Sequence, residues 1–269
     1  MSQAPPDNWL DRVRTAVSRP FTAGNLSDYG LCPRKFFLSQ FAAPDQQRAL
    51  GRVRALHGAV RAALTAADKM GGPAAVGLEW LRDEFRRAFD GSACADSLEE
   101  EQTQRLGLRM LAEFHARQQA TDCELLGADV CFQEAVEDLE FVAVADRLER
   151  HPEAGLVVAR YDVRRDPLGP QRIPRDLSLG LLVVLAEARH GERPLARVYG
   201  LHKDKVYEAR FDDAAVTRVA QRALFLARSI RADTDFAPAT GDHCRWCRVR
   251  AECSAWLDRR RSLLGPGGC

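Results

Sequence analysis

Near its end the chain reads CRWCRVRAEC, in which Cys244, Cys247 and Cys253 follow a C-x2-C-x5-C pattern. A C-x2-C turn aims two thiolates at a common centre, and a third can arrive after one more turn of chain. Three sulfurs leave a tetrahedral or cubane centre one ligand short. Cys32, in the polar and aromatic segment GLCPRKFFL, is the best candidate to supply it. Such a centre constrains the fold, because it obliges the two ends of the chain to meet. Thiolates suit both zinc and iron–sulfur clusters, and His243 is an alternative ligand in the zinc case. Cys94, Cys123, Cys131 and Cys269 are scattered and read as packing or surface residues.

The compartment supports a metal reading of these thiols. Met1 to Asn8 is polar and lacks the basic and apolar regions of a signal peptide. No apolar run reaches the roughly 20 residues needed to span a bilayer, so a cytoplasmic protein with no membrane association is expected. In a reducing cytosol, spaced cysteines bind metal or do chemistry more often than they form disulfides. The net charge of +1 means that any nucleic-acid binding must come from a local basic face and not from the overall field.

Hydrophobic periodicity places helices over 7–17, 47–67, 75–89, 102–119, 176–189 and 212–231. Ser27 is expected to N-cap a short helix running through Cys32 towards Phe41. Alternating patterns place strands over 124–134, 139–149 and 155–164, with polar turns at Glu137-Asp138 and at His151-Pro152-Glu153. A loop rich in proline and arginine covers 165–175. A further hairpin joins 195–202 to 205–211 about Lys203-Asp204. This order of elements suggests an α/β (α+β) fold, a mixed central sheet flanked by helices.

The pairing of LSDYGLCPRKFFL with HCRWCRVRAEC resembles the RecB-like branch of the PD-(D/E)XK nuclease superfamily, which includes AddB-type helicase–nuclease subunits and CRISPR-associated iron–sulfur nucleases. The resemblance covers about 22–256. It implies a restriction-endonuclease-like core with an N-terminal helical region, and a 4Fe–4S cluster on Cys32, Cys244, Cys247 and Cys253 that staples the domain. Zinc is the alternative. The implied plan is a helical extension over 1–21, the nuclease-fold domain over 22–256 and a flexible basic tail over 257–269.

The family's G-x-x-x-x-x-H helix matches GRVRALHGAV, with Gly51 and His57. Its G-x-x-D-R strand matches AVADRLER, with Asp146 at the metal-binding aspartate and Ala143 in place of glycine. The D-Y-K strand falls on LVVARYDV, which puts Arg160 at the acidic position and Asp162 at the lysine position. Ser178 and Leu182 stand where the family's glutamine and tyrosine belong. Arg160 would place a fixed positive charge where magnesium or manganese should bind, a repulsion of several kcal/mol at an intermediate dielectric. A shift by two residues gives D-x-R, with Asp162 as carboxylate and Arg164 as cation, and a remnant ligand set of His57, Asp146 and Asp162.

The expectation is a nuclease-fold DNA-binding protein with an impaired or inactive site, acting in DNA repair, recombination or nucleic-acid processing. The alternatives are an active metal-dependent DNA exonuclease in repair or CRISPR spacer acquisition, and a non-catalytic interaction module of a helicase–nuclease complex. Arg34, Lys35, Arg245, Arg248 and Arg250 are the candidate contacts to single-stranded or frayed DNA. Trp246 and Phe36 are the aromatic candidates for stacking on bases, Trp246 being expected rather to pack over the cluster.

Overall fold

The computed structural model describes residues 9–41, 51–119 and 122–258. These fall into two compact units, one from Met1–Ala49, Ala135–Phe141 and Gln221–Cys269, the other from Leu50–Glu134 and Val142–Ala220. The expected tail lies outside the described residues except for Leu257 and Asp258, and so does the start of the 47–67 helix.

The second unit carries the sheet and its core. Helices α4 (Gly51–Asp68), α5 (Leu78–Ala88) and α6 (Ser97–Gln118) precede strands β2 (Glu124–Val136), β3 (Leu139–His151) and β4 (Gly155–Asp162). Helix α7 (Leu177–His190), strands β5 (Leu195–Gly200) and β6 (Lys205–Ala209) and helix α8 (Asp213–Ala232) complete it, β2, β3 and α8 continuing into the first unit. β3 pairs antiparallel with β4, β4 parallel with β5 and β5 antiparallel with β6, while β2 pairs with β3. The sheet is therefore mixed, and α7 is the crossover that a parallel β4–β5 pair requires.

Why β4 is central is legible in its residues: Leu156, Val157, Val158 and Ala159 are all buried, the continuous apolar run of a strand covered on both faces. On one face Leu56, Val60 and Leu64 of α4 join Leu81 and Phe85 of α5 and Met110, Leu111 and Phe114 of α6 over Tyr161 and Tyr199. Burying each such side chain stabilises by about 1.5–3 kcal/mol. Gly107 admits the close approach of α5, since a Cβ there would collide with the Phe85 ring. Asp176 caps α7 by accepting from the Leu179 amide at 2.9 Å, and Gly191, at φ 71°, ends it in the left-handed region that glycine tolerates.

In the first unit, α1 (Trp9–Val17) is followed by β1 (Phe21–Thr22), α2 (Ala23–Leu31) and α3 (Pro33–Ser39). Here the expected single helix through Cys32 is corrected. Thr22, not Ser27, is the N-cap, its hydroxyl accepting from Asn25 N at 3.1 Å. The chain then breaks at Cys32, which is extended at φ −164°. Pro33 explains the break: it disfavours helical backbone in the residue before it and starts the next helix comfortably.

Candidate functional site

The first unit gathers the four cysteines. Cys32 sits between α2 and α3, its amide held by Asp28 O at 2.9 Å and its carbonyl by Phe36 N at 3.2 Å. After α8 the chain turns at Asp233, whose carboxylate accepts from Phe236 N at 2.7 Å and from the Tyr29 hydroxyl at 3.0 Å. Burial, then the Asp233 contact, pushes the Tyr29 phenol up to about 12. Phe236 is buried and stacks on Phe37 and Phe36 at 4.9 and 5.9 Å. Two short 3-10 turns follow, Asp242–Trp246 and Arg250–Glu252, and they present Cys244, Cys247 and Cys253.

All four cysteines line one cavity, whose wall also includes Leu38, Pro238, Val249 and Trp256 beside Arg34, Lys35 and Arg250. None of the four is in a disulfide. The Gly241 amide points at Cys244 Sγ at 3.5 Å. Burial raises the Cys247 thiol above its ordinary value; a hydrogen bond from Val249 opposes this, and so does Lys35, while Cys253 and Cys32 add to it. Among the described residues no three His, Cys, Asp or Glu side chains are placed to share a single metal ion. Cys32, Cys244, Cys247 and Cys253 would be the residues to hold a cluster of several irons, one thiolate to each. The donor set, four unbridged cysteines about one cavity, fits an iron–sulfur cluster in kind.

The basic residues around the cavity are largely used inside the unit. Lys35 and Arg248 share the carboxylate of Asp28 at 2.7 and 2.8 Å, and Arg34 donates to Asp235 O at 3.3 Å. Arg250 donates to the Arg245 carbonyl and lies over the Trp256 ring at 6.0 Å. The aromatic expectations are reversed. Trp246 is 85% exposed and Trp256 lines the cavity in its stead, whereas Phe36, 1% exposed, is core and cannot stack on a base. His243 also lines the cavity, its Nε2 2.9 Å from Ala239 O.

In the second unit the β3–β4 ladder ends at Arg147–Ala159. Past that point the strands part, and the Asp146 carboxylate takes over the Tyr161 amide at 2.8 Å. Its other oxygen accepts from Arg61 Nε. Asp162 is equally committed. Arg164 donates to it through Nε at 2.9 Å and Nη2 at 2.5 Å and through its backbone amide at 2.9 Å, and Leu168 N lies at 3.4 Å. Burial would raise the Asp162 carboxyl, but the Arg164 bonds hold it below its ordinary value. Arg160 donates to Ser178, Leu182 is buried, and His57 Nε2 is 3.4 Å from Tyr161 O.

His57, Arg160, Asp162 and Ser178 line a common cleft of about 480 Å³, together with Arg54, Arg164 and Asp176. Asp146 is not in its wall. As a divalent-cation site the set does not fit: each oxygen of Asp146 and Asp162 already accepts a hydrogen bond, and each carboxylate is paired with a guanidinium. A hard cation needs those oxygens as ligands.

The sequence comparison decides the family: the model of the PD-(D/E)XK nuclease superfamily matches residues 20–254. The chain belongs to the PD-(D/E)XK nuclease superfamily. No curated protein matches it. Among solved structures it is similar to a protein from Eubacterium rectale given the provisional name of exonuclease, at 10% identity and a TM-score of 0.48, covering 92% of this chain and 93% of that one. It is also similar to the protein SSO0001, at 17% identity and a TM-score of 0.36, covering 93% and 95%. Neither likeness is close enough to add to the family assignment. Among the described residues no helix of this superfamily member is long and apolar enough to cross a membrane.

Sequence reasoning missed a network of buried charges in the second unit. Arg147 lies 2.9 Å from Glu149, 2.7 Å from Gln118 and 3.3 Å from Asp68 Oδ1, the last an ion pair without hydrogen-bond alignment. Arg197 and Tyr199 complete the shell of Glu149 at 2.6 and 2.8 Å. The Tyr161 hydroxyl donates to Asp68 at 2.5 Å. It also missed Arg61, although the helical spacing offers that signal: Arg61 is four residues beyond His57, on the same face of α4.

Proposed function

We propose that this nuclease-fold protein belongs to the RecB-like branch, binds DNA, and holds a structural 4Fe–4S cluster on Cys32, Cys244, Cys247 and Cys253, with its nuclease centre impaired or inactive. The observation that carries the impairment is the neutralisation of Asp146 by Arg61 and of Asp162 by Arg164. In an active centre of this superfamily those carboxylates would hold the metal; here guanidinium groups stand in the cation's place. The cluster would supply no step of hydrolysis. It would bind the α2–α3 junction to the tail, as the aromatic stack about Phe236 does without metal. A cytoplasmic setting, where thiols stay reduced, agrees with this role.

The test is an assay on single- and double-stranded DNA with magnesium or manganese. No cleavage is expected. Metal-dependent cleavage that disappears in Asp146→Ala or Asp162→Ala would overturn the reading in favour of an active exonuclease. Anaerobic purification gives the companion result. A brown protein with broad absorption near ~400 nm supports the cluster, and a colourless, zinc-loaded one sinks it. DNA affinity that falls steeply with salt supports DNA contact; absence of DNA binding favours an interaction module for a helicase partner.

A further inference from the structure

Among the described residues Trp246 is the most exposed large apolar side chain, at 85%. It sits between Cys244 and Cys247 on a turn held from both sides. Cys244 N donates to Gly241 O at 3.1 Å and Cys247 N to Cys244 O at 3.3 Å, and Arg250 reaches back to the Arg245 carbonyl. The indole is thus presented to solvent by a braced backbone. The arginines of this stretch are not equivalent. Arg248 is tied to Asp28, and Arg250 to the Arg245 carbonyl and the Trp256 ring. The Arg245 guanidinium is exposed and has no hydrogen-bond or ion-pair partner among the described residues.

The neighbours of the ring select the kind of partner. A protein interface centres on an apolar patch, but Trp246 is flanked along the chain by His243, Arg245 and Arg248 besides the cysteines, and Val249 is buried. An unpaired base needs only the face of one ring, and its phosphate needs one guanidinium. Residues 242–253 hold Arg245, Arg248 and Arg250 against Asp242 and Glu252. The stretch is close to neutral, so stacking and not charge must carry such a contact. We propose that Trp246 is a base-stacking platform for single-stranded nucleic acid, with Arg245 meeting the adjacent phosphate. This rests on the DNA-binding reading and names the residues and the form of strand that it engages. A duplex hides its base faces except at its ends, so the platform favours single strands.

The experiment follows a labelled single-stranded oligonucleotide and a closed hairpin duplex by fluorescence anisotropy, together with the protein's tryptophan emission. The single strand should bind more tightly than the hairpin and quench the emission. Trp246→Ala should weaken single-strand binding about tenfold or more and leave its salt dependence unchanged. Trp246→Phe keeps a ring and removes the indole, so affinity should stay within about threefold while most of the quenching disappears. Arg245→Gln should make the log–log salt dependence shallower by about 0.7, the share of one phosphate contact. Because the ring is exposed, Trp246→Ala should melt with the wild type; if it does not, the quenching in Trp246→Phe decides. Single-strand binding by a folded Trp246→Ala within about twofold of wild type, or quenching that persists in Trp246→Phe, overturns the platform and leaves DNA binding intact. If the wild type binds no strand at all, the platform and the DNA-binding reading fall together.

Discussion

The two units treat their chemically distinctive side chains in opposite ways. In the first, the four cysteines face one cavity unbridged, and the surrounding cations turn to Asp28 and to backbone carbonyls, leaving the sulfurs available. In the second, arginines pair with the carboxylates: Arg61 with Asp146, Arg164 with Asp162, and Arg147 with Asp68 and Glu149. The same arginine-rich composition is thus spent on different partners in the two units.

The sharpest way to break this contrast is at the cysteines. Cys244→Ser should abolish absorption near ~400 nm and unfold the first unit's tail, because metal-binding free energy is folding free energy in such sites. Limited proteolysis should then cut beyond α8. If the variant keeps its colour and its resistance, the sulfurs are not a ligand set.

Next in size is Arg147→Ala. Asp68 and Glu149 have fully buried side chains, so the variant strands Asp68 without its cation and leaves Glu149 to Arg197 alone. A loss of about 3–5 kcal/mol in urea unfolding is expected, and a loss under 1 kcal/mol would show that this charge is not structural.

Asp68 gives a pH test of the same network. Burial raises its carboxyl from 3.8 to about 6, against the pull of Arg147 and of the Tyr161 bond. A raised folded value means that the native state binds the proton more tightly than the unfolded one. Stability from this group should therefore fall as pH rises from about 4 to about 6. The slope should flatten in Asp68→Asn; an unchanged slope would assign it to other groups.

The smallest effect belongs to Asp28→Ala. Its ion pairs with Lys35 and Arg248 are partly exposed, so about 1 kcal/mol is expected. The variant frees both cations beside the cysteine cavity, and DNA affinity at low salt should rise slightly if that face meets DNA.

Much of the fold is legible in the residues. The apolar run at Leu156–Ala159 marks a central strand, and the 3.6-residue periodicity marks α4, α6 and α8 to within a few residues. The α2–α3 break is also written there, in Pro33 after Cys32, but Ser27 offers a competing capping signal that the structure does not use. The cysteine gathering is legible because C-x2-C spacing is a local fact. The fate of Asp146 and Asp162 is not, because it depends on which arginine reaches each of them. Arg61 lies 85 residues from Asp146, and no periodicity links a helix face to a particular strand residue. Exposure of Trp246 while Trp256 lines the cavity is equally a tertiary outcome, since neither sits in an element long enough to show a repeating face.

Tyr161 has one further consequence. Its amide is bonded to Asp146, its carbonyl faces His57, and its hydroxyl reaches Asp68. One residue at the end of β4 thus joins the cleft's helix, the splayed strand and the buried charge network. Its amide proton is locked by a side chain instead of by the ladder, so it exchanges with deuterium only when Asp146 lets go or β4 opens. Hydrogen exchange at that single amide therefore works as a built-in gauge of the hold that the Asp146 carboxylate keeps on the end of β4.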